Sequence, residues 1–72
     1  MKKTFLIEDL ECAHCAAKME KAIKNIDGVT DARVNFVRSS LTVEAPDEIF
    51  DRVMKQAVME CRKIEPDAEI VL

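Results

Sequence analysis

The stretch Ala32-Arg33-Val34-Asn35-Phe36-Val37-Arg38-Ser39-Ser40-Leu41-Thr42-Val43-Glu44 lies in the middle of the 72-residue chain and reads as a hairpin. Ala32, Val34 and Phe36 alternate with Arg33 and Asn35, and Leu41-Thr42-Val43-Glu44 alternates again across the polar break Arg38-Ser39-Ser40. Side chains on a strand point to opposite faces with period two, so Ala32, Val34 and Phe36 are expected on one face and Arg33 and Asn35 on the other.

On the N-terminal side of the hairpin the period changes. Ala16, Met19, Ile23 and Ile26 follow one another at spacings of 3, 4 and 3, one stripe of a helix. Asp27-Gly28 ends it, with Gly28 as a left-handed cap. Before it comes the strand-prone Thr4-Phe5-Leu6-Ile7, closed by Glu8-Asp9, with Phe5 and Ile7 inward and Leu6 outward. Leu10 to Cys15 reads as a loop, which places Cys15 just ahead of the helix.

On the C-terminal side, Ala45-Pro46-Asp47-Glu48 is a helix start, with Pro near the first position and acids in the first turn. Phe50, Val53, Met54, Ala57, Val58 and Cys61 form a wide apolar face, Pro66 ends the helix, and Ala68 to Leu72 makes a last short strand. Met19 and Met54 fall on these stripes and read as core. The order is strand, helix, strand, strand, helix, strand. This is the α+β, ferredoxin-like βαββαβ sandwich: a four-stranded antiparallel sheet with two helices on one face, one domain over residues 1–72. Chain reversals then bring the first loop, the hairpin turn and the end of the second helix to one end.

Composition narrows the function. The net charge is −3, which argues against a nucleic-acid surface built on clustered Lys and Arg. No apolar run approaches the roughly 20 residues that span a bilayer, and Met1-Lys2-Lys3-Thr4 is not followed by a signal-peptide apolar region. A cytoplasmic location is the expectation. One His and no triad partner leave no hydrolase nucleophile.

There are three cysteines, an odd number that does not suggest a disulfide framework. Cys12 and Cys15 are spaced Cys-x-x-Cys, which in a reducing compartment reads as metal binding or as redox chemistry. Two intervening residues let a turn bring both sulfurs to one ion, and a helix N-terminus favours a thiolate, here expected at Cys15. A thiol-disulfide oxidoreductase shares the spacing, but would need a longer chain and a Pro beside the disulfide. Pro46 and Pro66 flank a helix instead.

Asp9-Leu10-Glu11-Cys12-Ala13-His14-Cys15-Ala16-Ala17-Lys18 resembles the Gly-Met-Thr-Cys-x-x-Cys signature of the heavy-metal-associated domain family. Ile26-Asp27-Gly28-Val29 and Val34-Asn35-Phe36 also fall where that family has similar residues. The resemblance covers the chain and implies the same ferredoxin-like fold. It implies Cys12 and Cys15 as metal ligands, with Leu10 in the buried place of the family's Met. Its members are metallochaperones and N-terminal domains of metal-transporting P-type ATPases. Glu11 replaces the Thr before the first Cys, Asp9 stands where Gly is usual, and Lys63-Ile64-Glu65-Pro66-Asp67 replaces the Gly-Tyr of copper-type domains. In these respects the chain is most similar to the zinc- and cadmium-transporting branch.

The chemistry of the donors agrees. Cu(I) is satisfied by two thiolates, whereas Zn(II), Cd(II) and Pb(II) take more ligands and accept carboxylate oxygen. Glu11, next to Cys12, can supply that oxygen or stand as a solvated loop acid. Cys61 is read as core first and as a further thiol ligand second. His14 is expected in solvent, and Lys18, Lys21, Lys24 and Lys63 on the surface. The expected cargo is Zn(II) or Cd(II) ahead of Pb(II) or Cu(I). The expected partners are other domains of a transport ATPase or a metal donor or acceptor protein, with a free-standing metallochaperone as the alternative. A monomer is expected, with a metal-bridged dimer open to an exposed two-thiolate site.

Overall fold

The computed structural model describes residues 1–71. Its elements are β1 (Lys2–Glu8), α1 (Ala13–Lys24), β2 (Asp31–Asn35), β3 (Ser40–Glu44), a 3-10 turn (Asp47–Ile49), α2 (Phe50–Ile64) and β4 (Glu69–Val71). The sheet runs β2-β3-β1-β4 with every neighbouring pair antiparallel. Leu72, the last residue of the expected fourth strand, lies outside the described residues.

Register follows from which residues are apolar. Val43 pairs with Lys3 on one side and Ala32 on the other, and Leu41 pairs with Phe5 and Val34. A slip by one residue would turn every inward side chain to solvent, so burial enforces the pairing. Ile7, Leu41, Val43, Met19, Ile23 and Val53 are the largest fully buried side chains, and the two helices lie against them. Ala16, Met19 and Ile23 supply the buried stripe of α1, and Phe50, Val53, Met54, Ala57 and Cys61 that of α2. Phe5 stacks on Phe50 at 6.5 Å between ring centroids. Leu6 faces outward, as the alternation requires, and is 53% exposed.

Four local features differ from the sequence reading. Phe36 does not continue the strand: β2 stops at Asn35 and Phe36 opens the turn, partly exposed. Asn35 Oδ1 accepts the Arg38 N–H at 3.1 Å, so a side-chain turn ends the strand before the alternation does. Ile26 is buried but lies beyond α1, which closes at Asn25. Pro46 precedes a 3-10 turn rather than entering α2 directly. Helix α1 starts at Ala13, earlier than expected, because Cys12 caps it.

Gly28 does adopt the left-handed region, at φ +99°. A Cβ there would also run into Ile49 Cδ1. The backbone therefore favours glycine at this position, and any side chain there would also have to displace the end of Ile49.

Candidate metal centre

Between β1 and α1 the chain turns through Asp9, Leu10 and Glu11. Asp9 takes φ +60°, a left-handed conformation that short polar side chains tolerate better than most. This explains why Asp can stand where the resemblance led one to expect Gly. The turn sends Leu10 inward, 7% exposed, and leaves Glu11 in solvent. Leu10 is thus buried as anticipated, and it anchors the loop beneath the cysteines.

Cys12 sits at the N-cap with extended backbone, φ −122° and ψ 112°. Its Sγ accepts the Cys15 N–H at 3.1 Å, and its carbonyl accepts the Ala16 N–H at 3.0 Å. A thiol here does what a Ser or Asp oxygen does in most caps, satisfying one of the free amides of the first turn. Cys15 is inside that turn, not ahead of it. Both cysteines are half-buried, and both are free thiols.

This placement reverses the expected order of ionisation. The Cys12 thiol is pulled below its ordinary value, first by its hydrogen bond with the Cys15 side chain and then by the Cys15 amide. The Cys15 thiol is pushed up to about 11, first by the same side-chain hydrogen bond, then by desolvation and by repulsion from Cys12 and Glu65. Of the two thiols Cys12 therefore gives up its proton first, and Cys15 follows at higher pH.

The remaining sequence candidates separate. Glu11 is exposed and enters none of the hydrogen bonds or ion pairs of the described residues. Cys61 belongs to the core, 2% exposed, its thiol pushed up to about 11 by burial and then by the nearby Glu60. Its structural part is to receive the Glu65 N–H on its carbonyl at 2.9 Å, closing α2. His14 is exposed, and Lys63 pairs with Glu60 at 3.7 Å on the surface. Among the described residues no three His, Cys, Asp or Glu side chains already form a closed ion cage.

The residue that sequence reasoning missed is Glu65. The Cys15 Sγ–H donates to Glu65 Oε2 at 3.7 Å, across fifty residues of sequence. Its signal was present. Chain reversal was expected to bring the end of the second helix to the cysteine loop, and Glu65-Pro66 is where that helix stops.

The model of the heavy-metal-associated domain matches residues 4–63. The chain belongs to the heavy-metal-associated domain family. As a heavy-metal-associated domain it is a small metal-binding unit. It is 40% identical over 68 residues, 94% of this chain, to a probable cadmium-transporting ATPase of Listeria monocytogenes. It is 38% identical over 53 residues to the copper chaperone CopZ of Staphylococcus aureus (strain bovine RF122 / ET3-1), covering 72% of this chain and 78% of that protein. A solved CopZ metallochaperone superposes with a TM-score of 0.76 at 27% identity, over 99% of this chain and all of the other. The chain spans about a tenth of the length of the ATPases that it matches. Among the described residues no helix is long and apolar enough to cross a membrane.

Proposed function

We propose that this heavy-metal-associated domain captures a divalent thiophilic ion, Zn(II) or Cd(II), through Cys12 and Cys15 and passes it on by ligand exchange. Its setting is the cytosolic N-terminal portion of a metal-exporting P-type ATPase. The observation that carries this reading is the thiol pair itself: two half-buried sulfurs on one helix N-terminus, linked through the Cys15 amide. Cys12, whose thiol is the more readily ionised, offers the ion its first bond as it gives up its proton, and the second sulfur follows as Cys15 does the same. Partial exposure suits transfer, because an incoming thiolate reaches the ion before the first ligand has left.

Charge favours a divalent cargo. Two thiolates and one carboxylate around a +2 ion leave a net charge of −1, while the same donors around Cu(I) leave −2. Glu11, free in solvent beside Cys12, is available as an oxygen donor. The similarity to a probable cadmium-transporting ATPase supports the same choice. In this role the domain delivers cargo and the chemistry of ATP hydrolysis belongs elsewhere in the parent protein.

A second reading, a free-standing metallochaperone carrying Cu(I), draws on the similarity over 78% of the copper chaperone's length. Anaerobic titration of the reduced protein separates the two. Cd(II) is followed by thiolate-to-metal absorption, with Cu(I) added as competitor, on wild type, Cys12→Ser and Cys15→Ser. Tight Cd(II) binding that either serine variant abolishes supports the divalent reading. Stoichiometric Cu(I) binding together with weak Cd(II) binding would establish the copper carrier.

A further inference from the structure

At the end of the domain away from the cysteines, β1 has a bare edge. The Met1 ammonium donates to the Ala45 carbonyl at 2.7 Å, the Ala45 N–H donates to the Met1 carbonyl at 2.9 Å, and the Ile7 N–H donates to the Ser39 carbonyl at 2.7 Å. Odd-numbered residues of β1 therefore turn their main-chain groups to β3, and Lys2, Thr4, Leu6 and Glu8 turn theirs to the β4 side. β4 pairs with Leu6, Ile7 and Glu8, and the pairing ends at Leu6 and Val71 among the described residues. The main-chain N–H and C=O groups of Lys2 and Thr4 have no strand beside them there, and both residues are exposed.

This edge is one wall of a groove. The other wall is the start of α2, with Phe50, Asp51, Met54 and Lys55, and the cavity between them measures about 500 Å³. Met1, Lys3 and Phe5 line it from alternate positions, as strand geometry requires. Phe50 and Met54 belong to the core, and Phe5 stacks on Phe50, so the floor is apolar. Charge at the rim is uneven. Asp47 is engaged by the N-terminal ammonium at 2.9 Å, which leaves Lys3 and Lys55 against Asp51. Neither lysine enters an ion pair among the described residues. Lys2 adds a further cation on the other face of the strand. A second copy of this chain joined edge to edge would set Lys2 and Lys3 against their counterparts, and like charges opposite one another are destabilising.

We infer that this groove docks an extended acidic strand of a partner protein, added to the free edge of β1 in line with β4. The main-chain groups of Lys2 and Thr4 supply the hydrogen bonds, and the side chains of the groove supply the selection. The row Met1, Lys3, Phe5 sets the pattern. The incoming strand carries Asp or Glu opposite Lys3, and apolar side chains two positions to either side, opposite Met1 and Phe5. A strand fits better than a compact small molecule, because one wall is main chain with unpaired donors and acceptors. The inference goes beyond metal capture and does not depend on it. The groove lies at the end of β1 opposite the cysteine loop, so a docked strand leaves Cys12 and Cys15 free for ligand exchange.

The test titrates the reduced, metal-free, ¹⁵N-labelled protein with the peptide acetyl-Val-Thr-Glu-Glu-Val-amide to about 5 mM, followed by NMR. Shift changes should saturate and centre on Lys2 to Phe5 and on the first turns of α2, and the Lys2 and Thr4 amides should exchange more slowly. A peptide with Lys in place of the central Glu should bind about twofold to fivefold more weakly, and Lys3→Glu should reverse that preference. A peptide with Pro in place of Thr loses the N–H that faces Thr4 and should bind about fivefold more weakly. Circular dichroism checks that Lys3→Glu keeps its fold, and the peptide exchanges test the inference without any protein variant. Absence of saturable shifts, shifts centred elsewhere, equal binding of the Glu and Lys peptides, or undiminished binding of the Pro peptide would each overturn the inference. So would concentration-dependent shifts at the same residues without peptide, which mark a second copy in the groove.

Discussion

Alkylation of the three cysteines should proceed in the order Cys12, Cys15, Cys61. The metal-free protein is treated with iodoacetamide at about pH 7.5, quenched over a time course and mapped by mass spectrometry. A thiol that ionises near 11 instead of 9.0 carries about one hundredth as much thiolate at that pH. The more basic thiolate is also the better nucleophile. With a Brønsted slope of about 0.4–0.5, this returns roughly an eightfold gain. Cys15 should therefore react about tenfold more slowly than an ordinary exposed thiol, and Cys12, whose thiol is pulled down, should lead it. Once Cys12 is alkylated its charge is gone, so Cys15 should then speed up. Cys61 has the same raised value but is only 2% exposed, so its labelling waits for opening of the core and should fall with stability. Reaction of Cys15 ahead of Cys12, or equal rates for both, would refute the capping argument. Labelling of Cys61 at a rate comparable to Cys12 would refute its placement in the core.

The same structure makes other measurable demands. Gly28→Ala should cost about 1–2 kcal/mol in urea unfolding, from the left-handed backbone alone, and more if Ile49 cannot give way. Leu41→Ala should cost about 2–5 kcal/mol because the side chain is fully buried, while Leu6→Ala on the open face should change stability by about 0.5 kcal/mol or less. Burial keeps the Cys61 thiol protonated in the fold to about 11, while the unfolded chain releases its proton near 9.0. Above 9.0 the unfolded state holds fewer protons, so stability should fall as pH rises from 9.0 toward 11. Measured in a Cys12→Ser, Cys15→Ser background, the part of that slope due to Cys61 should vanish in Cys61→Ala.

Much of this was legible along the chain because the information is local. Alternation in Leu41-Thr42-Val43-Glu44 and the 3-4 spacing of Ala16, Met19 and Ile23 each determine an element through side-chain direction alone, and the structure has β3 and α1 there. The order of those elements leaves few compact arrangements, and the antiparallel β2-β3-β1-β4 sheet is the expected one. The Cys12-x-x-Cys15 spacing and the turn at Gly28 are equally short-range features. Local misreadings came where a side chain competed with the periodic pattern: the Cys12 sulfur began α1 early, and Asn35 ended β2 before Phe36.

Other features depended on the assembled sheet. Periodicity puts Cys61 on an apolar face, but only packing decides that the face closes over its sulfur. No local pattern around Cys15 or Glu65 codes for their contact. It arises because β1 and β4 pair at Glu8–Glu69, which ties the start of the cysteine loop to the strand that follows Glu65. The sequence by itself determined the elements and the two sulfurs, since both are written within a few residues. Which carboxylate faces those sulfurs was decided by the tertiary structure, because the chain must fold back across a separation of fifty residues before the two groups can meet.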